Sequence, residues 1–336
     1  MDSIRHGSKR GWLRRNRPAM MHTLYRLMLA TAAIALFASP LHAKTAPCLQ
    51  ERLGYPAGAR ILIIHADDFG MAHSVNRAIE QALENGWVTS ASVMVPCPWF
   101  PEVVRWAHAH PQADLGLHLV LDSEWTGYRW GPVAPVDKVQ SLLDKEGYFY
   151  DDPSLFAHVK LQDVRTELDA QIDRARAMGL QVSHLDSHMI ALSSTRHLFG
   201  VYQDTGRAYD LPIALVKNGS YRMPAGVVPP PNALALDRVI TMDPGVPPNR
   251  WFDWYKRNLS SLKPGIYQLI VHLAYDDQEF RGATFDHPDW GAAWRQRDFD
   301  MVRSAQFRQF LREQKFILTN WGELSKRYRT RVQPHY

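Results

Sequence analysis

Ile61-Leu62-Ile63-Ile64-His65-Ala66-Asp67-Asp68-Phe69-Gly70 is the stretch on which the fold reading turns. Residues 61–66 are a short apolar run, which predicts a buried strand. Two carboxylates follow it directly. A strand buried on both faces belongs in a parallel sheet covered by helices, so strands and helices should alternate along the chain. Further strands are predicted at 91–95, 115–121, 181–185, 212–216, 237–241, 266–272 and 315–319. Helical patterns lie between them at 75–85, 101–108, 161–178, 195–209, 250–260 and 298–313. The first of these has Ser74 as N-cap and Gly86 as its stop. In the longest, Leu161, Val164, Leu168, Ile172, Ala175 and Met178 form one stripe. The expected fold is α/β: a closed or nearly closed β/α barrel of seven to eight mostly parallel strands. An open doubly wound sheet is the alternative. No glycine fingerprint for a nucleotide follows the first strand.

Composition narrows the function. The chain has 336 residues, 46% apolar and 22% charged, as expected of an enzyme-sized globular protein. Two cysteines exclude a disulfide scaffold or a multi-cysteine metal site. The net charge of +5 is misleading, because residues 1–43 hold seven basic residues and one acidic. Without them, 32 basic residues face 33 acidic ones. A near-neutral body gives no field for steering nucleic acid. Those first residues read as a secretory signal peptide. A basic head precedes the apolar run Leu27 to Ala38, then Ser39-Pro40, then small or aliphatic residues to Ala43. The run is too short to span a membrane, so no stable insertion is expected after cleavage. Residues 44–336 are then expected to be a single catalytic domain in a secreted or periplasmic protein. Cys48 and Cys97 could pair there or stay as thiols.

The chemistry-bearing residues share one location. Asp67 and Asp68 follow the first strand, and His118 lies in the third. His184, Asp186 and His188 close the fourth, and His272 closes the seventh. In a parallel β/α architecture, strand C-termini form one face, and that face holds the active site. In extended chain, His184, Asp186 and His188 point to one side. Two imidazoles and a carboxylate are a common ligand set for a catalytic divalent metal, which lowers the pKa of water and polarises a carbonyl. Imidazole donors favour zinc, with magnesium as the alternative. A Ser-His-Asp reading lacks a G-x-S-x-G elbow, and Cys97 stands between two prolines. The oversized connection at 122–150 carries Trp125, Tyr128 and Trp130 among other aromatics. Such a loop is either a satellite core or a platform for sugar rings.

Four stretches carry a resemblance: Ile63 to Met71, Val88 to Met94, Leu115 to Leu121, and Ser183-His184-Leu185-Asp186-Ser187-His188. In this order they resemble the YdjC-like carbohydrate deacetylases, which include chitooligosaccharide and hopanoid-biosynthesis deacetylases. The resemblance covers roughly residues 58 to 320. It implies a barrel-like fold and one divalent metal ion in an amidohydrolase of N-acetylated sugars. It places Asp68, His118 and His188 as metal ligands and Asp67 as the base. His272 takes the position of the acid, with His184 and Asp186 around the ligands. Trp125, Tyr128 and Trp130 are then expected to hold the saccharide. The chain departs where Met189-Ile190-Ala191 replaces further histidines, and where Val271 and Leu273 flank the late histidine. The expected activity is removal of N-acetyl groups from an amino-sugar saccharide. Ester or phosphoester hydrolysis on the same fold, or a lapsed enzyme that only binds glycan, are the rival readings.

Overall fold

The computed structural model describes residues 47–151, 158–229, 233–287 and 289–333. The expected signal peptide at 1–43 lies outside the described residues. Eight strands make one sheet: β1 (Arg60–Phe69), β2 (Ser90–Val93), β3 (Leu115–Leu119), β4 (Val182–Ser187), β5 (Leu215–Asn218), β6 (Ala235–Ile240), β7 (Gly265–Val271) and β8 (Ile317–Thr319). Their order is β4-β3-β2-β1-β7-β6-β5, and β8 pairs with the first half of β1. Every strand pairing is parallel. The sheet curls until its two edges meet. Leu185 N–H of β4 donates to Pro212 O at 2.9 Å, and Ala214 N–H donates to Leu185 O at 3.1 Å. This is the barrel-like α/β fold expected, rather than an open doubly wound sheet.

β1 is apolar on both sides because both sides are covered. Leu62, Ile64 and Ala66 face the outer core, built with α1 (His73–Glu84) and the other crossover helices. Ile61 and Ile63 face the inside of the curl, with Ile266, Ile270, Trp321 and Leu324. Burying each such side chain contributes about 1.5–3 kcal/mol. Trp321 and Leu324 belong to the C-terminal helix, Trp321–Arg331, which the sequence reading did not anticipate. Its start is nonetheless marked by an N-cap: Asn320 accepts from Glu323 N–H.

Several boundaries differ from expectation. The helix expected at 298–313 is two, Ala292–Arg303 and Ala305–Glu313. Ser304 between them is extended, and its hydroxyl caps the second by accepting from Phe307 N–H. α1 begins before Ser74, which is not its cap. Ser74 instead donates its hydroxyl hydrogen to Asp277. On the long helix Leu161–Ala177, Val164, Leu168, Ile172 and Ala175 are buried as expected, but Leu161 is exposed.

Gly116 in β3 shows why that strand needs a glycine. A Cβ there would overlap the ring of His184 on the neighbouring strand. Gly116→Ala should therefore destabilise the protein by about 1–3 kcal/mol through overpacking. Thermal unfolding measures this, and an unchanged midpoint would mean that the His184 ring shifts without cost.

Candidate active site

The site begins with a fault in β1. His65 and Ala66 pair with Ser90 and Ala91, but Phe69 pairs with Val93, so three steps along β1 match two along β2. Asp67 and Asp68 occupy this bulge. Asp68 has φ 68°, a left-handed conformation that aspartate tolerates better than most residues. The result is that both neighbours turn a carboxylate toward one atom, His118 Nε2. Asp68 Oδ1 lies 3.4 Å from it and Asp67 Oδ2 3.8 Å.

Cross-strand pairing sets the histidine. His118 of β3 stands beside Asp186 of β4, and Asp186 Oδ1 lies 2.6 Å from His118 Nδ1. His188 follows the end of β4, with Nδ1 3.5 Å from Asp68 Oδ1 and Nε2 3.1 Å from Glu124 Oε2. Met189 and Ile190 then both adopt positive φ, at 48° and 59°. A β-branched residue there is an outlier, and its place just after His188 is where backbone strain tends to gather. Arg295 arrives from the helix Ala292–Arg303. Its Nη1 lies 2.6 Å from Asp68 Oδ2, and its Nε donates to Trp290 O at 2.6 Å. His272 follows β7, with Nε2 4.0 Å from Asp67 Oδ2. Trp290 and Trp294 pack against its ring, and Asp298 accepts its backbone N–H.

All these groups are buried or nearly so, and burial sets their protonation. Burial pushes Asp67 up to about 7 against the pull of His118. Burial would raise Asp68 too, but Arg295 holds it well below the usual carboxylate range. His118 would be lowered by burial, yet Asp186 and Asp67 outweigh that and lift it to about 9. His188 is lifted likewise by Glu124 and Asp122. Burial drops His272 to about 3, so its ring is neutral.

The donors fit a divalent cation. Asp68 Oδ1, His118 Nε2 and His188 Nδ1 converge within 4.8 Å of one another. Asp68 Oδ1 is buried and has no hydrogen-bond partner. A buried carboxylate oxygen without a donor costs free energy unless something positive faces it. Two imidazole nitrogens and one carboxylate oxygen are a set that zinc and related metals accept.

The YdjC-like protein profile matches residues 61–313, a span that holds every group described above. The chain belongs to the YdjC-like family. It is 35% identical to a carbohydrate deacetylase of Thermus thermophilus, over 79% of this chain and 94% of that one. It is 26% identical to a carbohydrate deacetylase of Thermoanaerobacter pseudethanolicus, over 79% and 99%. The crystal structure of an Enterococcus faecalis protein assigned to cellobiose-phosphate cleavage superposes with a TM-score of 0.64. That match has 24% identity and covers 79% of this chain and 99% of the other, and it supports the fold.

In this YdjC-like chain the sequence-nominated residues divide into three groups. Asp67, Asp68, His118, Asp186, His188 and His272 come together. His184 lies deeper inside the curl. It meets His65 edge-on at 5.1 Å and stacks on Trp321 at 5.0 Å. Trp125 and Trp130 are only 1% and 2% exposed, so neither has a free face for a sugar ring. They pack edge-to-face at 6.1 Å, and Trp130 Nε1 donates to Asp122 O at 2.8 Å. Trp130 also packs on His188, so this part of the loop walls the site from outside. Tyr128 donates its hydroxyl hydrogen to Met71 O and lines a cleft of about 210 Å³ with His73, Ser74, Glu279 and Phe280. Cys48 and Cys97 are both free thiols.

Three site residues were missed in the sequence. His65 shares strand parity with Asp67, a signal that could have found it. Glu124 sits in the aromatic loop with no local mark. Arg295 lies 227 residues from Asp68 and has no sequence signal at all.

Because Trp125 is interior, Trp125→Ala should behave as a core truncation. The expected loss is about 3–5 kcal/mol, read as a lower unfolding midpoint. A variant of wild-type stability with a raised KM would instead restore the sugar-platform role.

Proposed function

We propose that this protein is a metal-dependent carbohydrate deacetylase that removes N-acetyl groups from an amino-sugar saccharide. The observation that carries the reading is Asp68 Oδ1, buried without a hydrogen bond and facing His118 Nε2 and His188 Nδ1. The names of the Thermus and Thermoanaerobacter relatives support the substrate class. Asp68, His118 and His188 would hold one divalent ion, with zinc favoured over magnesium because two donors are imidazoles. When bound, the ion supplies Lewis acidity, lowering the pKa of water and polarising a carbonyl oxygen.

The chain's own groups handle the protons. Asp67 Oδ2 takes a proton from water as its oxygen bonds to the acetyl carbon. Burial holds this carboxyl near neutrality, where a general base works best. The C–N bond then breaks, and the nitrogen must leave as an amine, not an amide anion. His272 Nε2 is the group placed to protonate it. Since the His272 ring is neutral, it must gain that proton during turnover, and the nearest carboxylate is Asp67, 4.0 Å away. The products are acetate and a free amino sugar. The leader expected at residues 1–43 supports a periplasmic or extracellular substrate.

Acetate release from N-acetylglucosamine oligomers, with and without chelator, tests the reading directly. Activity should vanish with chelator and return with zinc. His118→Ala and His188→Ala should each lose bound metal and activity together. Stoichiometric metal in the double variant would overturn the ligand set.

Asp67→Asn should keep its metal and lose about 10²–10⁴-fold in kcat, since only proton transfer is removed. If Asp67→Asn loses the metal and Asp68→Asn keeps it, the two roles are reversed.

A further inference from the structure

The imidazole of His65 lies between two carboxylates. Its Nε2 is 3.1 Å from Asp186 Oδ2 and 3.3 Å from Asp67 Oδ1. Both neighbours are acceptors, so Nε2 carries the hydrogen. The other ring nitrogen, Nδ1, is fully buried and has no partner. An unsatisfied buried polar atom costs about 1–3 kcal/mol. A residue serving only to fill this space would be apolar, as Ile61 and Ile63 are on the same inner face of β1.

The contacts around His65 form a connected circuit. Asp186 uses Oδ2 for His65 and Oδ1 for His118 Nδ1. His118 turns Nε2 to Asp68 and Asp67. Asp67 Oδ1 has no hydrogen bond, and Oδ2 faces His118 and His272. The His65 N–H, which bonds to Asp186 Oδ2, stands behind the proposed base, with Nε2 3.3 Å from Asp67 Oδ1. The ring itself is held from below. His184 meets it edge-on and is stacked on Trp321, whose Nε1 donates to Gln268 at 2.8 Å. Gly116 leaves the space that the His184 ring occupies.

We propose that His65 is a positioning residue: its N–H bonds to Asp186 Oδ2, and its polar edge, with Nε2 3.3 Å from Asp67 Oδ1, attracts that oxygen and keeps Asp67 Oδ2 turned toward the reacting groups. It acts through Asp67 and does not touch substrate. The inference rests on the reading of Asp67 as the base, and it assigns His65 no part in holding the metal.

The test compares His65→Phe, which removes the donor, with His65→Gln, whose amide N–H can reach the position of Nε2. In His65→Phe, kcat should fall about 10–100-fold, as for other outer-shell partners, with KM and metal content unchanged. His65→Gln should recover most of that loss. Wild-type kcat in His65→Phe, or His65→Gln no better than His65→Phe while both fold and bind metal, overturns the proposal. A second measurement needs neither activity nor those variants to fold. In ¹⁵N-histidine-labelled protein, the proton should reside on His65 Nε2, and Asp67→Asn and Asp186→Asn should each shift that nitrogen resonance. A resonance indifferent to Asp67→Asn also overturns the proposal. If the wild-type protein releases no acetate, the deacetylase reading fails, while the resonance still decides whether His65 serves both carboxylates.

Discussion

The extra residue in β1 between Ala66 and Phe69 is the constraint on which the site depends. In a regular strand, Asp67 and Asp68 would point to opposite faces of the sheet, one inside the curl and one among the outer helices. A bulge re-aims side chains in this way without ending the strand. The left-handed Asp68 completes the turn, so adjacent residues in sequence serve one cluster in space. Everything else converges on that point. β3 and β4 bring the histidines, β7 brings His272, and the helix Ala292–Arg303 brings Arg295.

The second constraint is charge. Asp67, Asp68, Asp122 and Asp186 are all buried in or beside one small volume. Uncompensated, such a group would not hold its charge away from water. The chain answers with different devices at each carboxylate. Asp68 has the guanidinium of Arg295 against Oδ2 at 2.6 Å. Asp186 has two imidazoles. Asp122 has the pull of His188 but no hydrogen bond on either side-chain oxygen, and burial outweighs that pull and pushes it up to about 7. Asp67 is likewise near imidazoles without a hydrogen bond at Oδ1, and burial pushes it up to about 7 as well. Two adjacent aspartates thus acquire opposite characters from their surroundings: one permanently anionic, the other able to exchange a proton.

Much of the frame was legible in the sequence because parallel strands announce themselves. Runs such as 61–66 and 266–272 are apolar on both faces and bounded by polar residues, so eight strands could be placed within a few positions. The strand-end residues followed from topology alone. Contacts made by helices and loops were not legible. The Asp68–Arg295 pair joins a strand to a helix 227 residues later, and no periodicity encodes that distance. The aromatic loop shows a different failure. Composition placed Trp125 and Trp130 beside the site but not their facing, since an indole stacks on other aromatics as readily as on a sugar. The helix at Trp321–Arg331 was missed because its apolar residues are few and close to its start.

The inner face of β1 shows how stability and chemistry are divided. Residues 61, 63, 65 and 67 point into the curl in that order. The first two are isoleucines packed with Trp321 and Leu324. The last two are His65 and Asp67. β7 repeats the order with Ile266, Gln268, Ile270 and His272, and Gln268 accepts from the Trp321 indole. The lower half of the interior is therefore a hydrophobic plug, and the upper half is a layer of titratable groups. The boundary between them is Trp321 with His184 stacked on it, a ring pair apolar on its faces and polar at its edges. Burial by the plug below keeps water from the underside of the site. That is what makes the carboxylates above it sensitive to their neighbours, because charges interact strongly only where solvent does not screen them. The helix that closes the bottom of the barrel thus helps set the electrostatics at its top.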